Sequence, residues 1–351
     1  MPTVPTFPYP PMEAEVAGTL PPGDGWQFEP KWDGFRCLVF RTAGQVRLQS
    51  KSGQPLERYF PEIVERIKGM KSARFVLDGE LAVPDPSAKG SLSFDDLLQR
   101  IHPADSRVKR LAREYPAVLV VFDLLAEGKT ALTGRPLADR RARLEKFLAK
   151  ERVEGLFLSP ATRDRAEAKR WLLGAGGGLD GVMAKRLDAA YASGSRDAMI
   201  KVKTRRTADC VVGGFRYATG KKVIGSLLLG LYGDDGLLHH VGFTSSFKAA
   251  DKAALTKKIE AVKGGKGFTG RAPGGPSRWS TERSSEWVPL NPKLVVEVEF
   301  DHFSQGRFRH GTKFVRWRPD KAPKQCTFDQ VRGAPRSTAK WLSQPAGRGK
   351  V

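Results

Sequence analysis

The stretch EPKWDGFRCLVFR, residues 29–41, decides how this chain is read. A proline and an Asp-Gly turn flank one lysine, Lys31, and a mostly apolar run of strand type follows. A loop that rigid presents its lysine at a set position. Outward from it, FRCLVFR, TAGQ and VRLQS (35–50) read as strand, turn, strand. LERYFPEIVERIKGM (56–70) spaces Phe60, Ile63, Val64 and Ile67 along one helical face. ARFVLDGELAV (73–83) is strand-like, SFDDLLQRI (93–101) a short helix, and YPAVLVVFDLLA (115–126) an apolar run of strand length. PLADRRARLEKFLAK (136–150) aligns Leu137, Leu144, Phe147 and Leu148. AEAKRWLLGAGG (166–177) is a helix closed by glycines. DGVMAKR (180–186) and MIKVKTRR (199–206) add two strands. The first part, 1–206, is thus an α+β domain with a Pro-rich, extended beginning.

After residue 206 strands dominate: CVVGGFRY, VIGSLLLGLY, LLHHVGF, LVVEVEF and KFVRWR, with one amphipathic helix, FKAADKAALTKKIEAV. Five short strands and a helix fit a small β-barrel of the OB type over 207–330. His239 and His240 read as strand-end surface. A long polar loop spans 264–286, and an acid-free basic tail, 331–351, reads as flexible unless a polyanion orders it.

The chain has 351 residues, with 60 Lys and Arg against 38 Asp and Glu, a net charge of +22. Such an imbalance points to an acidic polymer as partner, nucleic acid first. No apolar stretch is long enough to cross a bilayer, no secretory leader is visible, and no greasy basic helix suits a membrane surface. Three widely spaced cysteines, Cys37, Cys210 and Cys326, argue against a disulfide framework or a cysteine zinc site and for a reducing cytoplasm. A monomer is expected.

Alternation on a strand places Lys201 and Lys203 on one face, opposite Ile200 and Val202. Two parallel ammonium groups suit a phosphate chain. Asp78 and Glu80 likewise share a face and suit a ribose hydroxyl or a metal ion. Asp180 and Lys185 fall on opposite faces of their strand. A lysine attacking phosphorus must be neutral. An ordinary lysine titrates near ~10.4, so this costs about 4–5 kcal/mol at pH 7, which nearby cations offset. Asp33 could orient a metal, and Gly34 lets the turn approach a ligand closely.

Taken in order, KWDGFR (31–36), SKSG (50–53), LDGEL (77–81), VFDLL (121–125), LDGVMAKR (179–186), IKVK (200–203) and FRHGTKFVRWRPDK (308–321) resemble the motif series of the covalent nucleotidyltransferases. The match is best to ATP-dependent DNA ligases, among them the compact bacterial C type and the ligase module of ligase D. The resemblance covers about residues 25–330 and implies an adenylyltransferase domain followed by an OB-fold domain. It implies ATP and magnesium (or manganese) as cofactors and nicked double-stranded DNA as partner. It makes Lys31 the nucleophile that takes AMP. Glu29 would lie at the adenine edge and Phe122 on its ring, Arg36 and Glu80 at the ribose, and Lys51 at phosphate or the nick. Lys201 and Lys203 would contact the α-phosphate. Asp33, Glu80 and Asp180 would order the metal, while Arg318, Asp320 and Lys321 would orient the leaving pyrophosphate. The fourth segment has Asp180 where glutamate is usual, and the second has Lys51 where arginine is usual, which loses bidentate phosphate geometry. A capping guanylyltransferase and an RNA ligase are the enzymatic rivals. The short Pro-rich beginning leaves little room for the nicotinamide-binding segment of an NAD-dependent ligase. A non-enzymatic nucleic-acid-binding module is the remaining alternative.

Overall fold

The computed structural model describes residues 3–85, 91–174, 179–203, 206–274 and 286–331. The chain divides into two compact units at Thr204/Arg205.

The first unit contains, in order, β1 (Glu15–Ala17), β2 (Trp26–Trp32), β3 (Phe35–Thr42), β4 (Gln45–Ser50), α1 (Pro61–Lys68), β5 (Phe75–Ala82), α2 (Phe94–Gln99), α3 (Asp105–Glu114), β6 (Val118–Glu127), β7 (Thr130–Ala131), α4 (Leu137–Glu151), β8 (Leu156–Leu158), α5 (Arg165–Leu173), β9 (Leu179–Arg186) and β10 (Met199–Lys203). They build two sheets, ordered β1-β10-β9-β2 and β4-β3-β5-β6-β7, with β8 added in parallel to β6.

Alternation explains how the layers stack. On β3, Cys37 and Val39 join the core shared with Ile63 and Ile67 of α1 and Leu144 and Phe147 of α4. The intervening Leu38 and Phe40 face the other way and pack with Met183 and Met199 of the second sheet. A strand buried on both faces carries the unbroken apolar run seen in the sequence. The second sheet is covered outside by α5, where Ala168 and Trp171 meet Phe28, Val182 and Val202. Helix α1 begins with Pro61, whose ring suits the first helical position, and ends at Gly69. The Pro-rich beginning is an extended strap held by buried Met12 and Leu20.

The second unit contains β11 (Arg206–Tyr217), β12 (Ile224–Tyr232), β13 (Leu238–Thr244), α6 (Lys252–Glu260), β14 (Val288–Pro289), β15 (Val295–Phe300), β16 (Phe303–Ser304), β17 (Arg307–Phe308) and β18 (Lys313–Trp317). Its main sheet runs β13-β12-β11-β15-β18. Among the described residues no continuous ladder closes it into a barrel; one parallel bridge, Thr244 to Thr312, joins the two ends of the path. His239 and His240 lie inside β13. His240 is half-buried, and its Nε2 is shut off from solvent without a hydrogen-bond partner among the described residues. The surface reading of that histidine is therefore corrected. Residues 275–285 of the long loop and 332–351 of the basic tail lie outside the described residues.

Candidate active site

A cavity of about 200 Å³ opens between the two sheets of the first unit. One wall comes from β2, β9 and β10 through Glu29, Lys31, Met183, Lys185, Met199 and Lys201. The facing wall comes from β3, β5 and β6 through Arg36, Glu80 and Phe122, with Lys51 just past β4. The strap Pro11–Ala14 forms a third side.

Two irregularities in the ladders aim side chains into this space. Lys31 stands opposite Gly181 and Trp32 opposite Leu179, so Asp180 is the extra residue of a β-bulge. The bulge turns Asp180 toward the lysine side: its Oδ2 lies 2.5 Å from Lys31 Nζ and 2.9 Å from Lys203 Nζ. Lys185, two positions beyond Met183, lines the same cavity as Lys31. The strict alternation expected for Asp180 and Lys185 fails because a bulge resets the face. Gly181 makes this possible, with φ +138° and a position where a Cβ would sit 2.1 Å from the Val202 carbonyl oxygen. Likewise Asp78 opposes Asp123 and Gly79 opposes Val121, leaving Phe122 as the extra residue on β6. Gly34 is needed for a different close approach from the one expected. A Cβ there would lie 2.1 Å from the backbone oxygen of Leu81, a protein neighbour rather than a ligand.

The end of the cavity at Glu29 is polar but internally satisfied. Glu29 is buried; its Oε1 accepts from Lys185 Nζ at 2.9 Å and Gln27 Nε2 at 2.8 Å. Lys185 Nζ also lies 4.3 Å from the centre of the Phe122 ring, and the Arg36 guanidinium 4.8 Å from it. Both cations thus stand over the Phe122 ring. Arg36 donates through Nε and Nη2 to the two oxygens of buried Asp78, each at 2.5 Å. Burial opposes its charge, but Asp78 keeps the guanidinium above its ordinary range. Asp78, Lys185 and Arg36 form the rear of the site; of these, the sequence reading gave Lys185 no role and Asp78 only the one it shared with Glu80, whereas here Asp78 holds Arg36. Their signal was present, since Asp78 shares a face with Glu80 and Lys185 with Met183.

The end at Lys201 gathers several cations. Burial first, then Lys51, Lys31, Lys203 and Arg196, push the Lys201 ammonium below its usual range. Lys51 and Arg196 both reach Glu13 Oε2, at 3.3 and 3.1 Å. Arg196 is a further cation that the sequence reading passed over.

Burial is the main cause that pushes the Glu80 carboxyl up to about 7; Lys31 and Arg36 oppose it, while Asp33 and Asp78 add to it. A carboxyl held there is relieved by a cation, so Glu80 and Asp33 fit a divalent ion of the magnesium kind, which takes one or two carboxylates and completes its shell with phosphate and water. Among the described residues no three acidic, histidine or cysteine side chains are already gathered for a metal. Asp180, also expected in the metal set, accepts from two ammonium groups.

Arg318, Asp320 and Lys321 belong to the second unit. Arg318 Nη1 bonds both oxygens of Asp209 at 2.8 and 3.0 Å, and its Nη2 reaches Asp320 at 2.8 Å. That contact holds the Asp320 carboxyl down at about 2. Lys321 Nζ stands 3.6 Å from Asp209. Asp209, absent from the sequence reading, is the anchor of this cluster.

Residues 14–203 match the family described as ATP dependent DNA ligase domain, and residues 220–321 match ATP dependent DNA ligase C terminal region. The chain is 42% identical to DNA ligase C2 of Mycolicibacterium smegmatis, covering 95% of this chain and 96% of that protein. It is 40% identical to DNA ligase C of Mycobacterium tuberculosis, covering 92% and 94%. A solved Lig E DNA ligase aligns with a TM-score of 0.54 at 18% identity, over 88% of this chain and 98% of that one, which speaks to the fold alone. The two units accordingly are a nucleotidyltransferase domain and a C-terminal OB-fold domain. With a lysine-centred cavity between two sheets and both regions matched in order, the chain belongs to the ATP-dependent DNA ligase family.

Proposed function

We propose that this protein seals nicks in duplex DNA with ATP, through an AMP group carried on Lys31. The observation that carries this reading is the placement of Lys31 at the junction of an aromatic-floored cavity and a cluster of cations.

Lys31 Nζ attacks the α-phosphorus of ATP, forming an N–P bond as the bond to the β-phosphate oxygen breaks and pyrophosphate leaves. AMP then passes to the 5′-phosphate of the nick, and the 3′-hydroxyl displaces it to form the phosphodiester. Splitting one hard exchange into three transfers is what a covalent carrier achieves. The protein's share is positioning and charge neutralisation. Phe122 stacks on the base, Glu29 with Lys185 meets its polar edge, and Arg36 with Glu80 holds the ribose. Lys201 and Lys203 cradle the α-phosphate, with Lys51 lining the same cavity. Asp180 Oδ2 is the nearest acceptor for the proton that Lys31 must release. Arg318 and Lys321 orient the pyrophosphate, with Asp320 and Asp209 setting their geometry. Asp33 and Glu80 would hold the divalent ion, which supplies charge neutralisation on the phosphates. The protein acts as a monomer in DNA repair. The OB-fold domain grips the backbone without reading sequence.

The test is sealing of a nicked duplex with ATP, GTP or NAD as the only nucleotide. ATP alone should support joining. Joining with GTP at an equal rate, or with NAD, contradicts the reading.

A further inference from the structure

Behind the cavity a single hydroxyl joins two of its walls. Tyr191 lies on the loop between β9 and β10 and is buried. Its Oη donates to Asp78 Oδ2 at 2.6 Å, the same carboxylate that holds Arg36. The oxygen also accepts the backbone N–H of Met12 at 3.0 Å. Burial, then the charge of Asp78, push the phenol well above its usual range, so the hydroxyl keeps its proton and serves as donor.

The same loop clips the strap at three more points. Ser193 Oγ donates to the Pro10 carbonyl at 2.7 Å, Gly194 N to the Pro11 carbonyl at 3.2 Å, and Glu13 N to the Ser195 carbonyl at 2.8 Å. The strap residues Pro11, Met12 and Glu13 line the cavity yet precede the region matched by the ligase-domain family, which begins at residue 14. Arg36 Nη2 also approaches the Met12 carbonyl at 3.4 Å. One wall therefore comes from a segment that this loop holds together with Gln49 of β4, which bonds the Tyr9 backbone at 2.8 and 2.7 Å.

We infer that Tyr191 is a positioning residue for nucleotide selection: by tying Asp78 to the strap, it sets the Arg36 guanidinium at the height where it meets the ribose. This rests on the proposed function, in which Arg36 faces the sugar. Without the hydroxyl, Asp78 loses a donor and Arg36 gains freedom to tilt on Phe122. Met12 N–H is left buried without its acceptor, so the strap loosens as well.

The experiment compares self-adenylylation of the full chain and of Tyr191→Phe with ATP and with 2′-deoxyATP, in magnesium. In Tyr191→Phe the apparent KM for ATP should rise about tenfold, while the rate at saturating ATP stays within about threefold. Preference for ATP over 2′-deoxyATP should fall at least about threefold, a ratio that general loss of stability does not move. An unchanged ratio overturns the inference even if KM rises. Should Tyr191→Phe not fold, Asp78→Asn reports the same ratio, and an unchanged ratio there also overturns it. If the unaltered chain takes no label from ATP, the proposed function fails instead.

Discussion

Gly181 shows how far the chemistry depends on a single backbone position. Its φ of +138° suits glycine, and the Val202 carbonyl leaves no room for a Cβ. Gly181→Ala must move β9 away from β10 or abandon the bulge, so we expect a loss of about 2–4 kcal/mol in stability from urea unfolding. Self-adenylylation should fall as well, because Asp180 no longer meets Lys31. Unfolding and labelling both unchanged would contradict the role given to the bulge. The reason Lys31, Arg36, Glu80 and Lys201 were legible in the sequence is that each lies in a short motif on a regular strand. Asp180 was misplaced relative to Lys185, and Phe122 was placed only through the motif series, because each is the surplus residue of a bulge. Period-two alternation cannot announce such an interruption. Tyr191 was missed for another reason: its partners Asp78 and Met12 are 113 and 179 residues away.

At the level of elements, β13 carries a buried ring atom that makes the second unit sensitive to acid. Burial first, then Arg307, Arg216 and Arg271, push the His240 imidazole down to about 3. The ring is neutral in the folded unit and takes up a proton near ~6.5 once unfolded. The unfolded chain thus binds more protons between those values. Stability from the neutral ring is complete above about 6.5 and is lost as pH falls toward about 3. Replacing it by an apolar ring, His240→Phe, should recover about 1–3 kcal/mol at pH 4.5 relative to pH 8, measured by urea unfolding of both proteins. Parallel curves at the two pH values would contradict this. The long strand β12 and the core of β6 were legible because burial on both faces writes apolar runs, and β15, VVEVEF, because its glutamates alternate with buried apolar residues. By contrast β1 has three residues and exists through its parallel pairing with β10. Helix α3, DSRVKRLARE, buries only Val108, Leu111 and Ala112, too few to stand out against its charge.

Over the whole molecule, charge and order of parts agree. A net charge of +22 suits a polyanionic substrate, and both matched regions follow in the sequence expected of a two-domain ligase. Composition alone could not separate a nucleic-acid clamp from an enzyme; the distinction comes from one amine set between an aromatic floor and a bed of ammonium groups. The OB-type barrel was legible as a strand count but not in its open path, since closure depends on edge pairing at Thr244 and Thr312. The most direct measurement is peptide mapping by mass spectrometry of the full chain after incubation with ATP and magnesium. The account predicts one adenylate, attached through the side-chain nitrogen of Lys31 and absent in Lys31→Ala. Adenylate on another residue, or none on the peptide that contains Lys31, would contradict it.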